Sequence, residues 1–381
     1  MQLPDFLDYY LKNFKKFSGF SDYRHNSESL LKRNINTCLK KSPQWRFFDF
    51  TPFLNFAPIA SIASQDNLKS QISANNNEPV ATFVDYEFEP KFSTFGPHAR
   101  PCLERTCNSS TDYFYLLNNL SFKELYFFEL NQEKNLIINF INHKKNFNAV
   151  KISIIIPEKI DAKIEINYLN NEFINSMSNI SIDFILKKDA KLTLINHNKE
   201  RANEITINNY YFELAQNSEL KITNLMKNGL IKRSFFDCNL IGANAKVTIK
   251  SLTEGLNSDN IYNFTLIKHF AASTKSEQIH KAILFDQARF DFWGDVEINE
   301  NTKDAKAITQ NKNLLMSPNA VIYTRPELKI NHDEIKCSHG ATIGKIDENA
   351  LFYLTTRGLS LKNAKDLLIT AFKNEITESV N

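Results

Sequence analysis

A repeat in the middle of the chain restricts its fold more than any other feature. Four copies of a short pattern begin at Asp161, Asp189, Asn217 and Asn244, and these starts lie 28, 28 and 27 residues apart. Each copy has a turn-forming Asx residue, a small residue and then strict alternation of polar and apolar residues. Alternation with a period of two predicts a β-strand with one apolar face. A unit of this length without a helical pattern is typical of one rung of a parallel β-helix.

The aligned copies also predict how side chains stack from rung to rung. The alignment places four inward-facing residues in one column, namely Ile166, Leu194, Ile222 and Ile249. Similar patterns begin farther along the chain, 17 and 15 residues apart, at Gln287, Asp304 and Asn319. This smaller spacing predicts shorter turns in that region.

An antiparallel β-sandwich is the alternative to a solenoid. Its regular hairpins would normally need glycine at their tight turns. The segment from Asp161 to Ile249 contains only Gly229 and Gly242. The repeat therefore favours the solenoid over the sandwich.

Helical patterns lie on both sides of the repeats. Apolar residues recur at helical spacing up to Pro43, which ends the N-terminal pattern, and an Asn-rich stretch before residue 80 is typical of a linker. Near the C-terminus, Asp347 is predicted to cap a helix from Glu348 to Arg357 that ends at Gly358, and Ser360 is predicted to cap a second helix.

These patterns together predict a mainly β protein, with a parallel β-helix between two helical regions. The predicted divisions are an N-terminal helical domain with its linker, the β-helix core, and a C-terminal two-helix unit, at residues 1–80, 81–340 and 341–381.

Composition and motifs narrow the classes of function. The chain has 46 Lys and Arg against 43 Asp and Glu, a net charge of +3, which argues weakly against a nucleic-acid binder. It has only nine glycines and no Walker A, GxGxxG, GxSxG or HExxH sequence, so we do not expect it to hydrolyse ATP by itself. The carboxylates of the repeats are isolated, so no acid–base pair for glycoside chemistry is visible.

The apolar residues and cysteines indicate a cellular compartment. The first twenty residues include Asp5 and Asp8 and have no uninterrupted apolar core, which is not typical of a secretory signal. No run approaches the roughly 18 apolar residues of a membrane-spanning helix. The five cysteines form no CxxC pair, and these are Cys38, Cys102, Cys107, Cys238 and Cys337. We expect a soluble cytoplasmic protein with free thiols.

The segment from Lys336 to Gly344 is the strongest candidate for a functional site. If it is extended, Cys337 and His339 point to the same side of the strand. A thiolate and an imidazole suit a soft or borderline metal such as iron or zinc. Two ligands are too few for a closed site, so a second chain would have to supply the rest. The alternative is a buried cysteine beside a histidine that only hydrogen-bonds the backbone.

Other candidates carry less chemistry. His269 and His280, which flank Ser273, Thr274 and Ser276, are interpreted as ordinary polar side chains on the surface of a strand. Cys102 and Cys107 have a spacing that fits no common zinc site and are interpreted as free thiols. Trp45 is interpreted as a packing residue.

The C-terminal third resembles the SufB/SufD family of iron–sulfur cluster assembly proteins. The resemblance is carried by the segments Thr324 to Ile330 and Asp333 to Gly344 and continues through Leu351 to Leu354 and Arg357-Gly358. Upstream residues that also match are His269, Thr274, Ser276, Gln278, Lys281, Asp286, Ala288, Arg289 and Gly294. Specific similarity covers about residues 260–372. The short chain, with a helical start and no cysteine-rich N-terminal segment, resembles the SufD branch more than the SufB branch.

The resemblance implies a fold, partners and a role. It implies a right-handed parallel β-helix in a complex with the paralogue SufB and the ATPase SufC, and it leaves open a homodimer in isolation. It implies that His339, together with Cys337, helps to build a transient iron–sulfur cluster at the interface with SufB. The chain would be a non-catalytic scaffold that holds no cofactor permanently, and whether the complex holds a flavin is left open.

Three alternatives remain at this point. The chain could be a SufB-like direct scaffold for the cluster. It could be a β-helix carbohydrate-active enzyme, or a structural adaptor in which His339 is only a packed residue.

The second C-terminal helix is predicted to bind the ATPase. Its apolar residues follow helical spacing on a unit too small to bury them alone. The docking residues predicted from this stripe are Leu361, Ala364, Leu368, Ala371 and Phe372.

Overall fold

The computed structural model of the chain describes residues 27–31, 79–85, 87–97, 112–131, 135–142, 147–170, 177–198, 204–300 and 302–378. Residues 27–31 are helical, and the rest of the predicted N-terminal helices lies outside the described residues. Trp45, Cys38, Cys102 and Cys107 also lie outside them, so what the sequence predicts for these residues stays a prediction.

The described strands form two sheets. Sheet A contains, in spatial order from one end, β18 (Ile335–Gly344), β16 (Ala305–Leu315), β14 (Lys275–Leu284), β12 (Lys246–Gly255), β10 (Glu219–Lys227), β8 (Lys191–Asn198), β6 (Asp161–Asn170), β4 (Asn135–Asn142), β1 (Val80–Val84) and β2 (Glu87–Phe88). Sheet B contains β17 (Val321–Ile330), β15 (Arg289–Ile298), β13 (Asn260–His269), β11 (Ile231–Leu240), β9 (Ile205–Leu214), β7 (Met177–Leu186), β5 (Phe147–Ile156) and β3 (Leu125–Glu129).

The chain winds through these sheets as a parallel β-solenoid of about seven turns. From β3 onward, successive strands alternate between the sheets, so each turn adds one strand to each sheet. Neighbouring strands are parallel, except for the short antiparallel pair of β1 and β2. The predicted solenoid is confirmed, and the antiparallel sandwich is excluded.

Helices lie beside the solenoid and at its ends. Besides the helical residues 27–31, the described helices are a 3-10 helix (Pro90–Phe92), α1 (Tyr113–Ser121), α2 (Glu348–Thr356) and α3 (Leu361–Thr377). The predicted caps are confirmed, since Asp347 accepts backbone hydrogen bonds at the start of α2 and Ser360 does so at the start of α3. Gly358 follows α2 with a φ of 94°, which glycine adopts without a steric penalty. No helix of the described segments has the length and apolarity to span a bilayer.

The Asx residues of the repeat mark the turns from sheet B to sheet A. The residue at this place has a left-handed backbone in six successive turns, with φ between 58° and 64°, at Lys159, Asp189, Asn217, Asn244, Ser273 and Asp304. Asn and Asp tolerate this conformation better than most residues. Their side chains also bond from turn to turn, since Asn217 Nδ2 donates to Asp189 Oδ1 at 2.8 Å and Asn244 Nδ2 to Asn217 Oδ1 at 3.0 Å.

The predicted column of inward residues is wrong at one position. Leu194, Ile222 and Ile249 do stack in register, but the residue below Leu194 is Ile164, because Ile166 pairs with Asn196. The turn residue equivalent to Asp189 is Lys159, two positions before Asp161. A shift of two residues keeps every side chain on the same face, so alternation alone cannot detect it.

The expectation of shorter turns in the later repeats is also wrong. The patterns at Gln287, Asp304 and Asn319 precede β15, β16 and β17, which belong alternately to sheets B, A and B. Their spacing therefore measures half a turn of the solenoid. The full turn lengthens slightly, from 27 residues between Glu219 and Lys246 to 31 between Lys275 and Lys306.

Helix α1 covers the outer face of sheet B through buried charges. Its cap residue Asp112 forms an ion pair with Arg233 of β11, and both side chains are almost fully buried. Tyr115 of α1 bonds Asp183 of β7, which also pairs with Lys151 at 2.8 Å. Breaking one partner of such a buried pair would leave an uncompensated charge, so these contacts fix where α1 lies.

Candidate functional site

The C-terminal end of the solenoid is open. Among the described residues, β18 pairs only with β16 and β17 only with β15, so each sheet ends in an unpaired backbone edge. Most β18 side chains are exposed, and Ile330 and Ile343 at this end are each 45% exposed. An uncovered strand edge with apolar side chains is a surface on which another strand can pair.

Cys337 and His339 lie on this last strand. Cys337 pairs in register with Ala307 of β16 and packs, half-buried, against the main core. His339, two positions on, pairs with Thr309 and is exposed. Residues two apart on a strand share a side, so both side chains lie on the side of the solenoid interior. The interior beyond them is not covered by a further turn of the described chain.

The Cys337 thiol is not poised as a thiolate. Burial raises its pKa above the ordinary value, against a smaller opposing effect of a backbone hydrogen bond involving Ala307. A thiol binds metal only after it loses its proton. Cys337 would therefore become a ligand only when a metal ion displaces that proton, whereas an exposed imidazole needs no such step when it is neutral.

A chain of buried polar side chains lies directly behind His339. Thr309, its partner in register, accepts a hydrogen bond from Gln278 Nε2 at 3.2 Å. Gln278 Oε1 lies 3.2 Å from His280 Nε2, and Asn263 Nδ2 lies 3.2 Å from His280 Nδ1. Since Asn263 offers a donor, His280 Nδ1 accepts and its proton lies on Nε2. Each hydrogen bond of this chain is therefore donated in the same direction, toward the open end of the solenoid.

His269 and His280 are inside the solenoid, which corrects their predicted position on a strand surface. Both are fully buried, and His269 bonds the hydroxyls of Thr274 and Ser276 at 2.8 and 2.9 Å. Burial lowers the pKa of His269 to about 4 and that of His280 to about 3. Each imidazole is therefore neutral at physiological pH.

The interior polar column is a feature that sequence analysis missed. It runs in register through sheet A as Asn196, Asn224, Ser251, His280 and Asn311. Asn196 donates to Asn224 at 2.8 Å, and Asn224 donates to Ser251 at 3.3 Å. The signal was present, because these polar residues occupy inward positions of the alternation, but it is visible only once the register is known.

Comparison with known proteins identifies the family. Residues 139–372 match the family model described as "SUF system FeS cluster assembly, SufBD core domain", which covers more than half of the chain. The chain belongs to the SufBD family. The matched range contains the strands of the open end, the Cys337–His339 segment and most of α3.

Named relatives are SufD and SufBD proteins. The chain is 33% identical over 157 residues to the iron–sulfur cluster assembly protein SufD of Escherichia coli, covering 41% of this chain and 37% of that protein. It is 41% identical over 105 residues to a SufBD family protein of Synechocystis, covering 28% and 23%. It is 30% identical over 123 residues to the SufD of Plasmodium falciparum, covering 32% and 8%. The chain is SufD-like, and the alignments span well under half of these relatives.

Helix α3 of this SufBD chain lies against the outer face of sheet A. Ile376 is fully buried and packs with Leu252 and Ile279. Lys281 bonds the Glu375 carboxylate at 2.6 Å and the Phe372 carbonyl at 2.7 Å. The second half of α3 is thus held on the strands that carry the interior polar column.

The predicted apolar stripe on α3 divides into buried and exposed parts. Ala364 is fully buried and Phe372 is half-buried beside Lys281, whereas Leu361 is 56% exposed. Two apolar residues of α2 that the stripe did not include are also exposed, Phe352 by 70% and Tyr353 by 56%. Exposed apolar side chains therefore lie on both helices.

No three His, Cys, Asp or Glu side chains of the described segments converge on one point as a metal site would require. Cys238, the other described cysteine, is fully buried, and burial raises the pKa of its thiol well above the ordinary value. The described residues near the open end, Cys337 and His339 included, therefore do not form a complete ligand set for an iron–sulfur cluster.

Proposed function

We propose that this chain is a SufD-like scaffold subunit of the SUF system, which helps to build a nascent iron–sulfur cluster at an interface with SufB. The observation that carries the proposal is the place of His339, which is exposed on the last strand of an uncovered solenoid end. A paralogous solenoid that covers this end would bring its own ligands to His339.

The cluster is cargo in this proposal and is held only while it is assembled. His339 supplies one imidazole ligand and Cys337 a thiol that must first lose its proton, while SufB supplies the remaining ligands. Four thiolates would hold a cluster firmly, and a single imidazole from this chain makes release easier. The chain itself catalyses no bond-breaking step.

The ATPase SufC is proposed to bind the exposed apolar surface of α2 and α3, formed by Phe352, Tyr353 and Leu361. This surface lies on the same helical unit that Lys281 and Ile376 hold on sheet A. SufC bound there would act on the strands of sheet A that carry the polar column on their inner face. The ATPase can therefore influence the open end without contacting it.

The test is co-expression of this chain with SufB and SufC, followed by anaerobic measurement of iron and sulfide in the isolated complex. His339→Ala should leave three-protein assembly intact and abolish cluster formation, while Cys337→Ser should be milder. Ser338→Ala, on the opposite side of the same strand, is the matched control. Wild-type iron and sulfide in the His339→Ala complex would show that His339 is a structural residue.

A further inference from the structure

A groove on the outside of sheet A carries a run of stacked lysines. It has a volume of about 1010 Å³ and lies where β12, β14, β16 and β18 begin. Four of its residues, Lys246, Lys275, Lys306 and Lys336, are partners in register on these consecutive strands. All four are exposed. Since neighbouring strands lie about 4.8 Å apart, the column places four ammonium groups along about 14 Å of the solenoid axis.

The same column has mixed charge in the earlier turns. Its preceding members in register are Asp161, Lys191 and Glu219, so the sign alternates until Lys246 and then stays positive. Like charges directly opposite each other on adjacent strands destabilise a sheet. Among the described residues, none of the four stacked lysines forms an ion pair, and the pair inside the groove joins Lys303 to Glu334 at 3.2 Å. The groove thus offers four cations to an external anion.

The lining residues indicate the kind of anion. No aromatic side chain lines the groove, so there is no platform on which nucleic-acid bases could stack. The carboxylates of Asp304, Asp333 and Glu334 also line it, and a DNA phosphate backbone has no hydrogen-bond donor to offer them. An extended peptide rises about 3.3 Å per residue, so four to five residues match the column. Its backbone N–H groups can donate to these carboxylates while its acidic side chains meet the lysines.

We propose that this groove binds an extended acidic segment of a protein partner. The inference goes beyond the proposed function, because the groove lies on the outer face of sheet A and shares no lining residue with the helical surface assigned to SufC. Of the strands that line it, β18 alone belongs to the open edge assigned to SufB. Lys336 is followed directly by Cys337, so the partner would lie beside the strand that carries the proposed cluster ligands. A protein that delivers material to the site could dock in this way.

The experiment uses the full chain in its complex with SufB and SufC and a fluorescently labelled hexaglutamate peptide as the probe. Fluorescence polarisation should show binding that weakens as salt is raised. The Lys275→Glu/Lys306→Glu variant should weaken this binding by about tenfold or more, since several exposed charge contacts of modest strength are reversed together. The matched control is Lys159→Glu/Lys188→Glu, an equal charge change at exposed residues outside the groove, and it should have less than about a twofold effect.

Three results would overturn the proposal. An equal loss in both variants would show that only net charge matters. Undetectable binding of the peptide to the wild-type complex would exclude the site. Tighter and equally variant-sensitive binding of a single-stranded oligonucleotide of the same charge would assign the groove to nucleic acid. The groove variant should still co-elute with SufB and SufC. Retained assembly would show that a loss of peptide binding concerns the groove and leaves the proposed function intact.

Discussion

Cys337 and His339 lie two residues apart on one strand but differ in burial, and this difference decides their chemistry. The half-buried thiol has a raised pKa, while the imidazole is exposed at the end of the solenoid. Behind them, Thr309, Gln278 and His280 form a hydrogen-bonded chain that fills inward positions. His339 therefore has a hydrogen-bonded polar neighbour in Thr309.

Leu194 tests the register at the level of one side chain. It is fully buried between Ile164 and Ile222, so Leu194→Ala should lower the free energy of unfolding by about 2–5 kcal/mol. Denaturant unfolding would measure this change. Thr193→Ala, on the other side of the same strand, is the control and should be nearly neutral. A neutral Leu194→Ala would contradict the register.

The buried imidazoles predict a pH dependence of stability. His269 and His280 have folded-state pKa values of about 4 and 3, below the value of about 6.5 that histidine has when unfolded. The stabilisation that comes from keeping these imidazoles neutral is complete above pH 6.5. As pH falls toward the folded-state pKa values, the free energy of unfolding decreases by about 1.4 kcal/mol per pH unit for each imidazole.

Urea unfolding at several pH values would check this, with His269→Asn/His280→Asn as the comparison. Asp291 acts in the opposite direction, because burial raises its pKa to about 7. The difference between wild type and variant therefore isolates the two histidines. If the free energy of unfolding changed with pH equally in both proteins between pH 6.5 and 4, the prediction would be contradicted.

At the level of elements, α3 performs two tasks along its length. Its second half is anchored by Ile376, and by Glu375, whose pKa is lowered by a hydrogen bond from Lys281. Its first residue, Leu361, is exposed, as is Phe352 of α2, and both belong to the proposed ATPase surface. Helix α3 thus links the proposed ATPase surface to sheet A.

Substitutions can separate these two tasks. Phe352→Asp/Leu361→Asp should abolish capture of SufC while leaving the melting temperature unchanged, because both side chains are exposed. Ile376→Asp should lower the melting temperature, because it buries a charge against Leu252 and Ile279. Truncation after Gly358 should likewise remove SufC binding from a folded solenoid. Undiminished capture of SufC by the Phe352→Asp/Leu361→Asp variant or by the truncated protein would refute the docking surface.

At the scale of the whole molecule, the solenoid has an apolar core in turns along its whole length, and a polar column joins this core from Asn196 toward the open end. Stability comes from contacts between neighbouring turns, so each end depends on what covers it. The open end leaves two strand edges and the side chains of Ile330 and Ile343 uncovered by the described chain. Such an end favours association with a similar end.

We expect the isolated chain to form a homodimer through this end when SufB is absent. Ile330→Asp/Ile343→Asp should shift it to monomer in sedimentation equilibrium, because charges would then face the partner's apolar side chains. Phe352→Asp is the control and should leave the dimer intact. A dimer that persists in the double variant would place the contact elsewhere.

The sequence by itself determined the features that depend on local backbone and side-chain preferences. Alternation predicted the strands, Asx residues predicted turns at three of the four repeat starts, and Asp347 and Ser360 predicted the starts of α2 and α3. The segment around Cys337 and His339 could also be recognised from the sequence, because its residues are contiguous.

Only the tertiary structure decided what depends on register between distant segments. Alternation shows which residues share a face, but a slip of two residues leaves the faces unchanged, so the partner of Leu194 could not be read from it. The burial of His280, the lysine column ending at Lys336 and the burial of Ala364 all depend on which strand or helix lies next to each residue. These placements are set by packing between turns about thirty residues apart, and no local preference encodes them.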